Sequence, residues 1–206
     1  MPNEIRSIAT LGESFQETKN SKFHGYAARV CDETEAATEI AAAKARHPGA
    51  SAHAYAYIIG QNNETMKFHD GGEPGGTAGL PMMEVIKKQG LTDVICIVSR
   101  YYGGTHLGAG GLARAFGLTC ATALGNAEIK ILKPATEYRF TLPYPMHGKA
   151  AHWLEHSPFA LLNTDFAAEI TLLVRVFATD DEAFKQQLSE LTNGVAAPES
   201  INEGYY

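Results

Sequence analysis

The chain has 206 residues and a mass of 22.2 kDa, with 45% hydrophobic and 19% charged residues, enough apolar material for packed cores and against intrinsic disorder. No apolar run approaches the roughly 18 residues of a membrane span, and Met1 to Asn20 lacks the apolar centre of a secretion signal, so a cytoplasmic protein with no membrane partner is expected. The net charge of −6 is uneven: residues 1–134 hold 13 Lys+Arg against 13 Asp+Glu, and residues 135–206 hold 4 against 10. A phosphate backbone would repel the last third, so any nucleic-acid contact must come from a local patch on the first part.

In chain order, Lys22 to Val30 reads as a strand, and Asp32 with Glu35 forms a capping-box pattern opening an alanine-rich helix that ends at His47-Pro48-Gly49. Cys31, Cys96 and Cys120 have no close spacing, so reduced thiols are expected, with Cys96 and Cys120 buried. From Ala52 to Ile59 the residues alternate strictly, His53, Tyr55, Tyr57 and Ile59 against Ala52, Ala54, Ala56 and Ile58, which predicts a strand with one bulky face. The turn Gly60 to Asn63 predicts a hairpin to a shorter strand near Thr65 to His69. Pro81 and Gly90 frame a helix over Met82 to Gln89, and Asp93 to Arg100 is a short β-branched run suited to a buried strand. A further helix is predicted from about Leu112 to Asn126.

The pattern restarts at Lys133-Pro134. Strand (Thr136 to Leu142), helix (His147 to His156), strand (Phe159 to Phe166), strand (Glu169 to Ala178), helix (Asp180 to Leu191) and a last strand after Gly194 follow, an order that matches the ferredoxin-like β-α-β-β-α-β signature. The expectation is an α/β (α+β) chain of two domains, 1–133 and 134–206. Thr179 and Glu182 form a second capping-box pattern, Trp153 reads as a core anchor, the helix from Asp180 as a solvated face, and Glu203 to Tyr206 as a loose tail.

Two loops carry the candidate chemistry. His69 to Gly79 holds five glycines in the nine positions from Gly71, and Gly103 to Gly111 holds five more. Glycine-rich turns that feed a helix N-terminus aim backbone N–H groups and the helix dipole at an anion, so a phosphate or carboxylate is the physical expectation. The alternative is architectural: glycines that permit two tight crossings of the chain. Arg100-Tyr101-Tyr102 ends a strand with a cation and two aromatics, a combination that meets a phosphate and a stacked base, and Arg114 is expected in the first turn of the next helix. Gly108-Ala109-Gly110-Gly111-Leu112-Ala113 satisfies G-x-G-x-x-A, but Arg100 ends the strand eight positions earlier, so no dinucleotide cofactor is expected; the Walker pattern is absent. Asp70 and Glu73, with His53, His69 and His106, are the titratable groups available to a metal, but their spacing demands none.

HDGGEPGGTAGLP followed by RYYGGTHLGAGGLARAF closely resembles the paired signature of the IMPACT (YigZ) family, and the likeness extends to Ser21-Lys22-Phe23, to His53 and to the two-domain layout. The resemblance implies a first domain similar to ribosomal-protein domains and to domain IV of elongation factor G, and a second similar to domain V. It also implies a link to regulation of translation, known for eukaryotic relatives. Its positions here are Asp70, Gly72, Glu73, Pro74, Gly76, Thr77, Ala78 and Gly79, then Arg100, Tyr101, Gly103, Gly104, Leu107, Gly108, Gly110, Gly111, Leu112 and Arg114. Gly71 stands where the family has a second aspartate, and Tyr102 and Phe116 replace the usual Phe and Tyr.

The resulting expectation is a translation-associated binding protein without a cofactor, whose first domain meets the ribosome, RNA, a translation factor or a small anion in the glycine-rich cleft. Asp70, Glu73, Gly76, Thr77, Arg100, Tyr101, Gly103, Gly104, Gly108, Gly110, Gly111 and Arg114 are its binding set. The alternatives are a hydrolase or small-phosphate enzyme using Asp70 and Glu73, and a regulator that contacts protein alone.

Overall fold

The computed structural model describes residues 4–206, so the first three positions of the expected first domain lie outside the described residues. The chain divides between Ile131 and Leu132 into two units. The first is built on a five-stranded sheet in the order β2 (Gly12–Thr18), β3 (Ser21–Arg29), β6 (Val94–Tyr101), β4 (Ala52–Ile59) and β5 (Thr65–His69), each neighbouring pair antiparallel. Helix α1 (Glu33–Arg46) covers part of one face, and α2 (Gly79–Gln89) and α3 (Ala109–Asn126) cover the other. A separate two-stranded sheet joins β1 (Ile5–Ile8) to β7 (Ile129–Leu132).

The sequence explains this layering. The small side of β4, Ala54, Ala56 and Ile58, lies in the core under α2 and α3, where the alanines leave room for helices to approach. Its bulky side sends Tyr57 and Ile59 into the smaller core beneath α1. β6 is central and apolar on both faces: Val94, Cys96 and Val98 meet α2 and α3, while Ile95 and Ile97 meet α1. Asp32 caps α1 through the Glu35 N–H at 2.8 Å, and the Glu35 carboxylate takes the Cys31 N–H at 2.7 Å. Cys96 and Cys120 are buried, and Cys31 is exposed.

Strands β1, β2 and β7 and the start of α3 depart from the sequence expectations. β2 is a polar edge strand whose Ser14 and Gln16 side chains donate to the Thr119 and Ala115 carbonyls of α3 at 2.8 and 2.9 Å, so hydrogen bonds to a helix replace the apolar alternation that would have revealed it. α3 starts at Ala109, three residues before Leu112, which moves Arg114 from the first turn to the second.

The second unit is a four-stranded antiparallel sheet, β8 (Pro134–Leu142), β9 (Ala160–Phe166), β10 (Ile170–Phe177) and β11 (Glu199–Tyr205), in the order β11-β8-β10-β9, with helices α4 (Tyr144–Glu155) and α5 (Asp181–Thr192). Its core gathers Tyr138, Phe140, Val174, Val176, Phe184 and Leu188, with Trp153 packed against them. The expected loose tail is instead ordered. β11 pairs with β8, Tyr206 and Lys133 exchange two backbone hydrogen bonds of 3.1 Å, and the Arg175 guanidinium sits 3.6 Å above the Tyr206 ring. The second capping box does not form either. Asp180 occupies the cap position without its side chain capping the helix, and the Thr179 hydroxyl donates to the Asp180 carboxylate at 3.2 Å.

Candidate functional site

The two glycine-rich loops join β5 to α2 and β6 to α3, and they lie side by side around a hollow of 440 Å³ lined by Glu73, Pro74, Arg100, Tyr102, Gly108 and Ala109 among others. Glu73 and Arg100 hold them together. Both Glu73 oxygens accept from Nη1 of Arg100 at 2.8 Å, with each side chain only 7% exposed. Nη2 of Arg100 donates to the Ser21 hydroxyl oxygen at 3.1 Å, which also accepts the Gly103 N–H at 3.1 Å. One ion pair therefore links the first loop, the end of β6, the start of β3 and the second loop. The Nε of Arg100 is buried without a partner. The sequence expectation of a guanidinium free at a strand end is thus replaced by one largely committed inside the protein.

Asp70 is likewise committed. One carboxylate oxygen accepts the Gly76 N–H and the other accepts the Ala78 and Gly79 N–H groups, all at 2.9 Å, so it anchors the N-terminus of α2 from across the loop. Burial raises its affinity for a proton, but the three amide donors outweigh that and hold the carboxyl below its ordinary value. Thr77 is buried and its hydroxyl donates to the Pro74 carbonyl at 2.7 Å.

The glycines fall into two groups. At Gly71, with φ +63°, a Cβ would sit 1.9 Å from the His53 carbonyl oxygen, and at Gly103 it would sit 2.1 Å from the Asn20 backbone. Those two permit close chain crossings, the first of them against the backbone of β4. Gly104 and Gly108 adopt positive φ in open space, and at Gly110 nothing lies within 4 Å of a Cβ.

The start of α3 is open. Its first helical bond runs from the Leu112 N–H to the Gly108 carbonyl at 2.9 Å, and no side chain caps it. Among the described residues the N–H groups of Ala109, Gly110 and Gly111 have no acceptor, and they stand at the positive end of an 18-residue helix. Arg114 is exposed without an ion partner among the described residues; four positions past Gly110, it lies on the same helix face and leans toward the N-terminus.

Not every expected residue joins this hollow. Arg100 and Tyr101 are consecutive in β6 and so point to opposite faces. Tyr101 meets Nδ1 of His47 through its hydroxyl at 3.1 Å beside the His24 ring, so one ligand cannot meet the guanidinium and that ring together. Tyr102 takes the aromatic place, 45% exposed, with Arg100 5.3 Å over its ring. The candidate metal ligands also disperse. His53 bonds Ser99 Oγ at 2.9 Å and burial lowers its pKa, His69 Nδ1 accepts the Gly71 N–H at 2.9 Å, and His106 sits beside Tyr102. Ser21 was missed as a functional position; its only signal was its place in Ser21-Lys22-Phe23.

Residues 19–124 match the family model of the Impact N-terminal domain, and residues 140–195 match a domain of unknown function, DUF1949. The chain belongs to the IMPACT family. It is 35% identical over 198 residues to the IMPACT family member YvyE of Bacillus subtilis (strain 168), covering 96% of this chain and 90% of that one. It is 30% identical over 181 residues to the IMPACT family member YigZ of Escherichia coli (strain K12), covering 87% and 89%. A solved structure described as that of an hypothetical protein superposes with a TM-score of 0.74 at 28% identity, over 98% of this chain and 99% of that one. In this IMPACT chain the signature motifs build the loop pair: Glu73 and Arg100 tie the loops, Asp70 seats α2, and the glycines of the second motif leave the start of α3 bare. No helix among the described residues is long and apolar enough to cross a membrane.

Proposed function

We propose that this IMPACT protein is a translation-associated binding protein that receives a backbone phosphate of RNA at the hollow between its two glycine-rich loops. The observation that carries the reading is the uncapped start of α3, three N–H groups without acceptors; Ala109 and Arg100 line the same hollow, and Nε of Arg100 is buried without a partner. A helix N-terminus favours an anion by its free donors and by its dipole. Arg114 adds a full positive charge on the Gly110 side of the helix, and the exposed Tyr102 ring offers a face to a base. The link to translation that the family resemblance implies favours RNA as the carrier of that phosphate.

Hydrolysis by Asp70 and Glu73 is the weaker reading, because both oxygens of each carboxylate already accept hydrogen bonds, three from amides and two from Arg100. Neither is placed as a free base.

The test is anisotropy with a single-stranded RNA across a salt series, wild type against Arg114→Gln, whose exposed side chain has no hydrogen bond or ion pair among the described residues. Binding should weaken linearly with log salt, and the variant should lower that slope by about one. Absence of binding at low salt, or an unchanged slope, overturns the reading, and partners that survive nuclease treatment then favour a protein-only regulator.

A further inference from the structure

The last turn of α4, in the second unit, carries a cluster that the loop site does not use. His152, Glu155 and His156 follow the spacing i, i+3, i+4, so they share one helix face, and all three are exposed. One ligand atom from each lies within 4.8 Å of the others, and the two imidazole rings are 4.3 Å apart at their centroids. Tetrahedral zinc needs ligand atoms about 3.4 Å apart, a closure that exposed side chains reach by rotamer adjustment.

Two further observations favour a metal here. Nδ1 of His156 lies 2.8 Å from the His152 carbonyl oxygen, and because a carbonyl only accepts, Nδ1 must carry the proton. In the neutral ring that leaves the lone pair on Nε2, the arrangement in which metal-binding histidines are held through their second nitrogen. The opposite side of the helix is pinned: Ala150 and Leu154 are in the core, and the Trp153 indole N–H donates to Gln187 of α5 at 2.8 Å. The Glu155 carboxylate and the His152 ring nitrogens have no hydrogen-bond or ionic partner among the described residues. Helix C-terminal carbonyls and the acidic charge of residues 135–206 both favour a cation.

We propose that His152, Glu155 and His156 bind a late first-row divalent metal ion, with Zn²⁺ as the representative, through two imidazole nitrogens and one carboxylate oxygen, leaving one coordination position for water or an outside donor. Two nitrogens and a single carboxylate suit zinc, nickel, copper or cobalt and offer too few oxygens for calcium or magnesium.

The experiment is isothermal titration of the full, chelator-treated chain with Zn²⁺, and separately with Mg²⁺. One equivalent of Zn²⁺ should bind in the micromolar range, while Mg²⁺ gives no heat. His152→Ala and His156→Ala should each weaken that equivalent by roughly 100-fold, and Glu155→Gln by about tenfold. All three side chains are exposed, so circular dichroism should be unchanged. No zinc binding up to about 1 mM, or binding that both histidine variants leave intact because it belongs to histidines of the other unit, overturns the proposal.

Discussion

Gly110→Glu separates the needs of the fold from the needs of the ligand. Nothing lies within 4 Å of a Cβ at position 110, the second residue of α3, so the new side chain meets no obstacle. Glycine inside a helix is about 1 kcal/mol worse than a good helix former, and a carboxylate in the first turn contributes about 0.3–1 kcal/mol with the dipole. Discounting the first for a terminal position leaves a gain of roughly 0.5–1.5 kcal/mol, or about 2–6 °C in melting temperature for a unit of this size. The same carboxylate lies where the phosphate is proposed to bind, and like charges about 4 Å apart repel by roughly 1–4 kcal/mol between bulk-water and near-surface dielectric. RNA affinity should fall by about fivefold to nearly a thousandfold at low salt. Thermal melts and anisotropy on the same preparations read both effects. Unchanged affinity in a stabilised variant would refute the anion site at α3, and a loss of stability would show that Gly110 has an internal role after all.

The committed carboxylates give further tests. Glu73→Gln leaves the Arg100 guanidinium buried opposite a neutral amide and should cost about 3 kcal/mol in urea unfolding, whereas a loss below about 1 kcal/mol would mean the pair is effectively solvated. Gly71→Asp, which restores the residue usual in the family, should destabilise this chain by roughly 2–4 kcal/mol, because the position has φ +63° and its Cβ would strike the His53 carbonyl; a neutral result would mean the loop relaxes freely. Asp70 has a folded pKa below its ordinary 3.8, so its contribution is present above that pH and disappears as pH falls through the folded value. Asp70→Asn should therefore be less stable than wild type at pH 7 and converge with it in acid; a gap that persists at low pH would contradict the assignment.

How far the fold could be read depended on where apolar residues report how a segment is buried. The alternation of β4, the apolar run of β6 and the strand-helix order after Pro134 each mark one burial pattern, and the structure follows them. β2 was invisible because Ser14 and Gln16 fasten it through helix carbonyls. The tail misled for a similar reason: backbone pairing with β8 and Arg175 over Tyr206 order a segment that is polar in composition. At the site, the loops and their glycines were legible as letters, but the arrival of Glu73 at Arg100 across 27 positions was not, since local patterns carry no long-range partner. The opposite facing of Arg100 and Tyr101 followed from strand periodicity once β6 was known to include Tyr101.

The central claim is that phosphate is received at the bare start of α3 beside Arg100. Its most direct measurement is an NMR titration of the full chain with a short single-stranded oligoribonucleotide at low salt, following backbone amides and arginine side-chain N–H groups. The account predicts saturable shifts at Ala109, Gly110, Gly111 and Nε of Arg100, with those at Ala109, Gly111 and Nε of Arg100 weakened together by Gly110→Glu. Shifts confined to the other sheet face around His24, His47 and Tyr101, or none at any of the four groups, would contradict it.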